Sequence, residues 1–246
     1  MKITTDGLVI WESKTGEADR VITLLTENGI ITAYAKNSLR PKNKLTSPTS
    51  MLCFSNFELY SGTNMYTVDD AQIKHRFIKL STDVNGYSLA AYFCELLKLL
   101  APIEDAAEDF LSLMTNSLYL INEGKKPLFL IKSVFEMRIM CLAGYMPDIA
   151  ECAECGESNS AGGFFDVTNG VFYCESCVKK SGRAVNIGAA AVSAIRHIIS
   201  AEGGKIFSFD IGVASLSALK DVSEAYVCTH VDHRLPTLEF YNSLTT

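Results

Sequence analysis

Two Cys-x-x-Cys pairs are the feature of this sequence that most restricts its fold. The first pair is Cys152 and Cys155, the second is Cys174 and Cys177, and eighteen residues separate the two pairs. Two cysteines with two residues between them present both sulfurs to one metal ion, and a second pair completes a tetrahedron. Gly156 follows the first pair and can take the positive φ that such a turn often needs. The sequence therefore predicts one structural Zn²⁺ per chain, held by Cys152, Cys155, Cys174 and Cys177.

Three other uses of cysteine pairs fit this sequence less well. A thioredoxin-like redox site places one pair between a strand and a helix of a βαβ unit, whereas residues 162–167 and 170–173 have the pattern of a hairpin between the pairs. Disulfides need an exporting context, and the first residues do not resemble a signal peptide. A zinc deaminase needs a His-x-Glu motif, which this sequence lacks. We therefore expect a zinc ribbon at about residues 150–180 and a metal without a catalytic role.

Composition is typical of a globular protein, and eight cysteines without a signal peptide lead us to expect the reducing cytoplasm. The chain has 246 residues, of which 48% are hydrophobic, enough for one large or two modest domains. No apolar run reaches the length of a membrane span. The remaining cysteines that lie among apolar residues are expected to be small core residues. They are Cys53, Cys94, Cys141 and Cys228.

Residues 1–80 carry the pattern of a small β-barrel. Asn28-Gly29 is a strong hairpin signal, and residues 61–64 indicate another turn. Five or six short strands within about seventy residues predict a closed barrel, because closure removes exposed sheet edges. An OB-fold is the best-known barrel of this size and commonly binds oligonucleotides, although an SH3-like barrel would give a similar sequence. The predicted strands are 7–11, 20–25, 30–35, 51–54, 57–60 and 65–68.

Beyond residue 80 the hydrophobic period becomes helical. Pro102 and Gly124 are expected to end the first two helices. The predicted fold is therefore α+β, with an N-terminal OB-fold barrel at residues 1–80 and an α-helical domain at 81–246 into which the zinc ribbon is inserted. The predicted helices are 87–101, 104–123, 128–142, 189–201, 215–232 and 236–244.

Positive charge is concentrated in the predicted barrel. The whole chain carries a net charge of −6, yet residues 1–80 contain ten Lys and Arg residues against eight acids, and residues 28–57 contain no acid. We predict a track for DNA phosphates along this segment, which would make binding strongly salt-dependent. An ordinary solvated loop is the alternative. The predicted DNA-binding residues are Lys36, Arg40, Lys42 and Lys44, supported by Lys14 and Arg20.

Aromatic residues in the barrel give a second, weaker signal. Aromatic side chains can stack on bases, but for each of these residues taken singly we expect packing in the barrel core instead. They are Tyr34, Phe54, Phe57, Tyr60 and Tyr66.

Several short motifs resemble one known family. Glu17-Ala18-Asp19-Arg20 and Leu24-Leu25-Thr26-Glu27-Asn28-Gly29 are similar to the opening strands of its OB domain, and Gly144-Tyr145-Met146-Pro147 before the first cysteine pair is similar to the entry to its zinc site. With the barrel, the helices and the zinc ribbon, these motifs resemble the RecO family of bacterial recombination mediators. Asn37 stands where that family usually has a glycine, and because Asn tolerates left-handed backbone, we expect the turn to be kept.

This resemblance implies a DNA-binding protein that is not an enzyme. Such proteins bind single- and double-stranded DNA, anneal complementary strands and act with RecR to help RecA replace single-strand-binding protein. The residues agree with a non-catalytic role, since the sequence has no Walker A motif and no Gly-x-Ser-x-Gly nucleophile elbow. The alternative is a zinc-ribbon adaptor whose acidic helical domain binds other proteins and whose barrel contacts no nucleic acid. In either case we expect a cytoplasmic protein without membrane contact.

Overall fold

The computed structural model describes residues 2–62 and 65–245, and its fold is α+β, as predicted. Thr63 and Asn64, which belong to the predicted turn at 61–64, lie outside the described residues. The packing of the backbone divides the chain into two compact units: Met1–Glu123 with Leu235–Thr246, and Gly124–Arg234. The division into domains at residue 80 stays a prediction. Among the described residues, no helix has both the length and the apolar character needed to span a membrane.

Five strands of the first unit form the barrel: β1 (Lys2–Thr15), β2 (Asp19–Thr26), β3 (Gly29–Ala35), β4 (Cys53–Ser61) and β5 (Tyr66–Arg76). They close in the order β1-β2-β3-β5-β4, with β4 pairing back to β1. The β3–β5 pair is parallel and the other pairs are antiparallel. This is the strand order of an OB-fold, so the predicted OB-fold is confirmed over the SH3-like alternative.

The barrel interior is filled by alternate residues of every strand, as the period of two requires. β4 is one continuous strand where two were predicted, because Ser55 and Asn56 do not form a turn. The buried Ser55 hydroxyl donates to the Pro48 carbonyl at 3.2 Å, and the Asn56 amide donates to Asp6 at 2.7 Å. The core side chains are Val9, Ile22, Leu24, Ile31, Ala33, Ala35, Leu45, Phe57, Leu59, Val68 and Ala71.

Seven α-helices lie within the described part of the chain. The first unit contains three of them and the second unit contains four. Their bounds are α1 (Val84–Leu100), α2 (Glu108–Glu123), α3 (Leu128–Leu142), α4 (Glu175–Ser181), α5 (Ala189–Ser200), α6 (Val213–His230) and α7 (Pro236–Thr245).

The turn between β2 and β3 packs against the segment that precedes α2. The Ile30 N–H donates to the Pro102 carbonyl, and the Ala107 N–H donates to the Glu27 carbonyl, both at 2.8 Å. At Gly29 φ is 98°, and a Cβ there would lie 2.7 Å from the backbone nitrogen of Glu104. This close approach of the two backbones therefore requires glycine. Because residues 102–107 bond to this turn, α2 begins at Glu108 and not at the predicted residue 104.

In the second unit, α3, α5 and α6 pack together and the ribbon follows α3. The ribbon sheet has the order β7-β6-β8, with β6 (Gly162–Asp166), β7 (Val171–Cys174) and β8 (Ile187–Gly188). The hairpin between the cysteine pairs was predicted, whereas α4 and β8 were not.

A buried ion network joins α3 to α6. Lys132 is fully buried, and its ammonium lies 2.6 Å from Glu136 and 2.7 Å from Glu224. The Ser223 hydroxyl donates to the second oxygen of Glu136 at 2.7 Å. Burial lowers the pKa of Lys132, but the two carboxylates outweigh it and raise the pKa above its usual value. The ammonium therefore stays charged inside the helix packing.

Three of the four cysteines expected in the core are buried. They are Cys53, Cys94 and Cys141. The expectation is wrong for Cys228, which is exposed because it lies beside the buried face of α6 that Val222, Tyr226 and Val227 form.

Candidate metal centre and nucleic-acid surface

The four cysteines of the two pairs are brought together at one end of the ribbon hairpin. Cys152 and Cys155 lie in the turns after α3, Cys174 ends β7 and Cys177 lies in α4. Their sulfur atoms all lie within 4.8 Å of one another, and the sulfurs of Cys155 and Cys174 are 3.6 Å apart. Zn–S bonds of about 2.3 Å in a tetrahedron place sulfurs about 3.8 Å apart. The cluster therefore fits one metal ion.

Backbone hydrogen bonds hold the first cysteine pair in place. The Gly156 N–H donates to the Cys152 carbonyl at 2.9 Å, and the Cys152 N–H donates to the Glu157 carbonyl at 3.0 Å. Gly156 has a φ of 73°, which is the positive value predicted from the sequence. The Ala153 N–H donates to the Phe172 carbonyl at 2.8 Å, so the first pair is tied directly to β7.

The electrostatics of the cluster suit a cation. Burial opposes ionisation of Cys152, but backbone N–H groups, including that of Cys174 at 3.2 Å, lower its pKa to about 6. Burial raises the pKa of Cys177, and a metal ion supplies the charge that keeps such a thiol deprotonated. Three of the sulfurs belong to buried residues and Cys155 is exposed. A four-cysteine site leaves no open position for a substrate.

The acid-free segment between β3 and β4, residues 36–52, forms an ordered loop, here called the basic loop. Successive turns build it, because the N–H groups of Arg40, Asn43 and Thr46 each donate to the carbonyl three residues earlier. Leu45 enters the barrel core. Asn37 has a φ of 55°, so the turn that was expected to be kept is present. The loop therefore presents its side chains from an ordered backbone.

Most of the predicted DNA-binding cations lie on the outside of this loop. Lys36, Arg40 and Lys42 are exposed, and so is Lys14 at the end of β1. Lys44 is exposed as well, but its ammonium lies 2.8 Å from Asp70. Their contact with DNA stays a prediction.

Arg20 occupies a different position from the other cations. Its guanidinium donates to the Thr46 carbonyl at 2.8 Å and to the Thr49 hydroxyl at 3.1 Å, and it lies 3.5 Å from Glu12. Only 12% of its side chain is exposed. Arg20 therefore braces the basic loop through these hydrogen bonds. A DNA phosphate would have to compete with Thr46, Thr49 and Glu12 for its guanidinium.

The barrel aromatics divide between core and surface. Phe57 is fully buried, whereas Tyr60 is 47% exposed. Sequence reasoning missed Trp11, which is 46% exposed on β1 with the Lys98 ammonium 3.9 Å from its ring centroid. No local sequence pattern shows this exposure, because β1 is irregular between Val9 and Trp11.

Comparisons with family models and with known proteins point to one family over nearly the whole chain. Residues 1–77 match the family model for the N terminus of recombination protein O, and residues 81–239 match the model for its C terminus. The DNA repair protein RecO of Acetivibrio thermocellus is 31% identical over 243 residues, which cover 98% of this chain and 97% of that protein.

Two further relatives bear the same name. DNA repair protein RecO of Alkaliphilus metalliredigens is 27% identical over 94% of this chain and 95% of its own length. The protein of that name from Caldicellulosiruptor bescii is 27% identical over 97% of both chains. Because the two family models together match nearly the whole chain and the relative from Acetivibrio thermocellus is 31% identical over 98% of it, the chain belongs to the RecO family of DNA repair proteins.

Proposed function

We propose that this protein is a cytoplasmic recombination mediator that works without catalytic turnover. It binds single- and double-stranded DNA, anneals complementary strands and acts with RecR to help load RecA onto DNA coated by single-strand-binding protein. The observation that carries the proposal is the match of both family models to nearly the whole chain. The OB-fold barrel with its ordered basic loop supports it, because barrels of this kind commonly bind oligonucleotides.

The basic loop supplies the physical means of annealing. Two DNA strands repel each other through their phosphates, and the cations of the basic loop would reduce that repulsion. Base pairing then provides the free energy, so annealing itself needs no nucleotide hydrolysis. Because the chain carries a net charge of −6, its acidic parts should keep DNA away and confine it to the basic loop.

The proposed metal is one Zn²⁺ bound by Cys152, Cys155, Cys174 and Cys177. The ion would hold the two cysteine pairs together and thereby stabilise the ribbon, whose sheet has only three short strands. Closed four-thiolate sites have this structural role in other proteins. RecR, RecA and single-strand-binding protein enter as partners through the family resemblance.

Charge reversal tests the DNA surface. The test variant carries both Lys36→Glu and Lys42→Glu. The matched control carries Lys180→Glu and Lys205→Glu, which change two exposed lysines of the second unit. Binding to a labelled single-stranded oligonucleotide is measured over a series of salt concentrations. Each lost phosphate contact should make the negative slope of log affinity against log salt shallower by about 0.7. The slope of the test variant should therefore be shallower by about 1.4, and its affinity should be lower than that of the control.

Equal affinity of the two variants would remove the basic loop from the DNA surface. A wild-type protein that binds no DNA at low salt would instead favour the adaptor function.

A further inference from the structure

An open groove runs along one face of α2 in the first unit and is here called the α2 groove. Its volume is about 490 Å³. The α2 residues that line it are three or four positions apart and therefore share one face of the helix, which extends over three turns, or about 16 Å. The opposite face of α2 is buried through residues such as Phe110 and Met114. The α2 residues that line the groove are Glu108, Leu111, Ser112, Thr115, Asn116 and Tyr119.

Much of the lining of the α2 groove is apolar. Phe77, which follows β5, and Leu111 are buried, and Phe54 of β4 is half-buried. Tyr119 is 46% exposed at one end of the helix face. The Thr115 hydroxyl already donates to the Leu111 carbonyl at 2.8 Å. Because removing apolar surface from water is favourable, an apolar side chain of a partner would be stabilised in this groove.

Two carboxylates mark the other end of the α2 groove. Glu27 and Glu108 both line it and are exposed, and they lie at the same end because the Ala107 N–H donates to the Glu27 carbonyl at 2.8 Å. Within the described part of the chain, neither carboxylate forms an ion pair. The described lining residues include His75 but no lysine or arginine. This end therefore attracts a cation and repels DNA phosphates.

We propose that the α2 groove docks an extended segment of a partner protein, with an apolar side chain against the buried lining and a Lys or Arg beside Glu27 and Glu108. A groove of about 16 Å accommodates about five extended residues at about 3.3 Å each. The carboxylates disfavour nucleic acid, whereas a cationic protein segment complements them. The α2 groove shares no residue with the basic loop, so this inference does not depend on the proposed DNA binding.

Peptide selection tests the chemistry of the partner. The full-length protein is immobilised, and a displayed library of random short peptides is selected for binding to it. Enriched sequences should combine a large apolar residue with a Lys or Arg close to it. Enrichment of acidic sequences, or of none above an uncoated surface, would overturn the proposal.

Two substitutions at one position test where the peptide binds. An enriched peptide is synthesised with a fluorescent label, and its affinity is measured by anisotropy. Thr115→Arg should weaken binding at least about tenfold, because the long cationic side chain clashes with the apolar residue of the peptide and repels its cation. Thr115→Ala keeps the groove open and should bind the peptide as the wild type does. Both variants should keep the melting temperature of the wild type. Equal affinities of the two variants would show that the peptide binds elsewhere.

Charge removal tests the part played by the carboxylates. Glu27→Gln with Glu108→Gln keeps the shape of the groove and should weaken peptide binding about 2- to 30-fold, the range for two exposed ion pairs. Glu17→Gln with Glu202→Gln changes two exposed acids outside the groove and should leave the affinity as it is. If the first pair of substitutions also has no effect, the proposed cation is wrong.

Sedimentation separates a different protein from a second copy of this chain as the occupant. The wild-type protein and the Thr115→Arg variant should have the same mass in solution. A wild-type dimer that Thr115→Arg converts to monomers would show that a second copy occupies the groove, and the proposed partner would be excluded.

Discussion

At the scale of single residues, the cations predicted from one stretch of sequence have different surroundings. Lys14 and Arg20 are cross-strand partners on β1 and β2, yet Lys14 is exposed while Arg20 is bonded to the basic loop. Because both side chains point to the same side of the sheet, the difference comes from the Thr46 and Thr49 acceptors, which lie within reach of Arg20. The two residues can therefore be compared directly by substitution.

We predict that Arg20→Ala lowers the free energy of unfolding by about 1–3 kcal/mol, because it leaves the partly buried acceptors of Thr46 and Thr49 without their donor. Lys14→Ala should change stability by less than about 0.5 kcal/mol, as exposed substitutions usually do. Urea denaturation of both variants measures the difference. The same loss in both would show that Arg20 does not brace the loop.

The buried ion network gives the second prediction at this scale. Lys132→Met should destabilise the protein by about 3–5 kcal/mol, because it removes the ammonium that lies against the buried Glu136 carboxylate. Adding Glu136→Leu should recover much of the loss, since the second substitution removes the stranded charge. Urea denaturation of the single and double variants measures both effects. A double variant less stable than the single variant would contradict this explanation.

At the scale of elements, the sequence predicted strands and helices well wherever local pattern decides them. The bounds of α3 agree with the prediction at both ends. The start of α2 was predicted four residues too early because the preceding segment bonds to the β2–β3 turn, a tertiary contact that no local pattern shows. The prediction gave two strands where the structure has the single strand β4, for a similar reason. The hydrogen-bond partners of Ser55 and Asn56 lie elsewhere in the first unit, and no local pattern shows them.

The metal cluster was predictable because its chemistry is local. Two cysteines two residues apart already define half of a tetrahedral site. The exposure of Trp11 was not predicted because the direction of its side chain depends on an irregularity of β1 between Val9 and Trp11. Such a bulge shifts the alternation of side chains by one residue, and the sequence gives no sign of it.

The ribbon gives a prediction for this scale. The purified protein should contain one Zn²⁺ per chain by elemental analysis, and Cys174→Ser should abolish its binding. Without the ion, amide hydrogens of β6 and β7 should exchange faster, whereas those of the barrel strands should keep their protection, because the metal holds only the ribbon. Ser133→Ala, at a buried position of α3 in the same unit, is the control and should keep the metal. A fully protected ribbon in metal-free protein would contradict a structural zinc.

At the scale of the whole molecule, the proposed binding of DNA by an acidic protein depends on where its positive charge is concentrated. The net charge is −6 over the chain, while the exposed cations Lys36, Arg40 and Lys42 lie together on the basic loop. This arrangement should make DNA binding local, strongly salt-dependent and independent of nucleotide. Annealing follows if the bound strand still presents its bases for pairing.

The central claim is tested most directly by a strand-annealing assay with complementary oligonucleotides coated by single-strand-binding protein and no nucleotide added. We predict that the wild-type protein accelerates duplex formation, that the variant with Lys36→Glu and Lys42→Glu does so much less, and that added ATP changes neither rate. Duplex formation at the same rate with and without the wild-type protein would contradict the account.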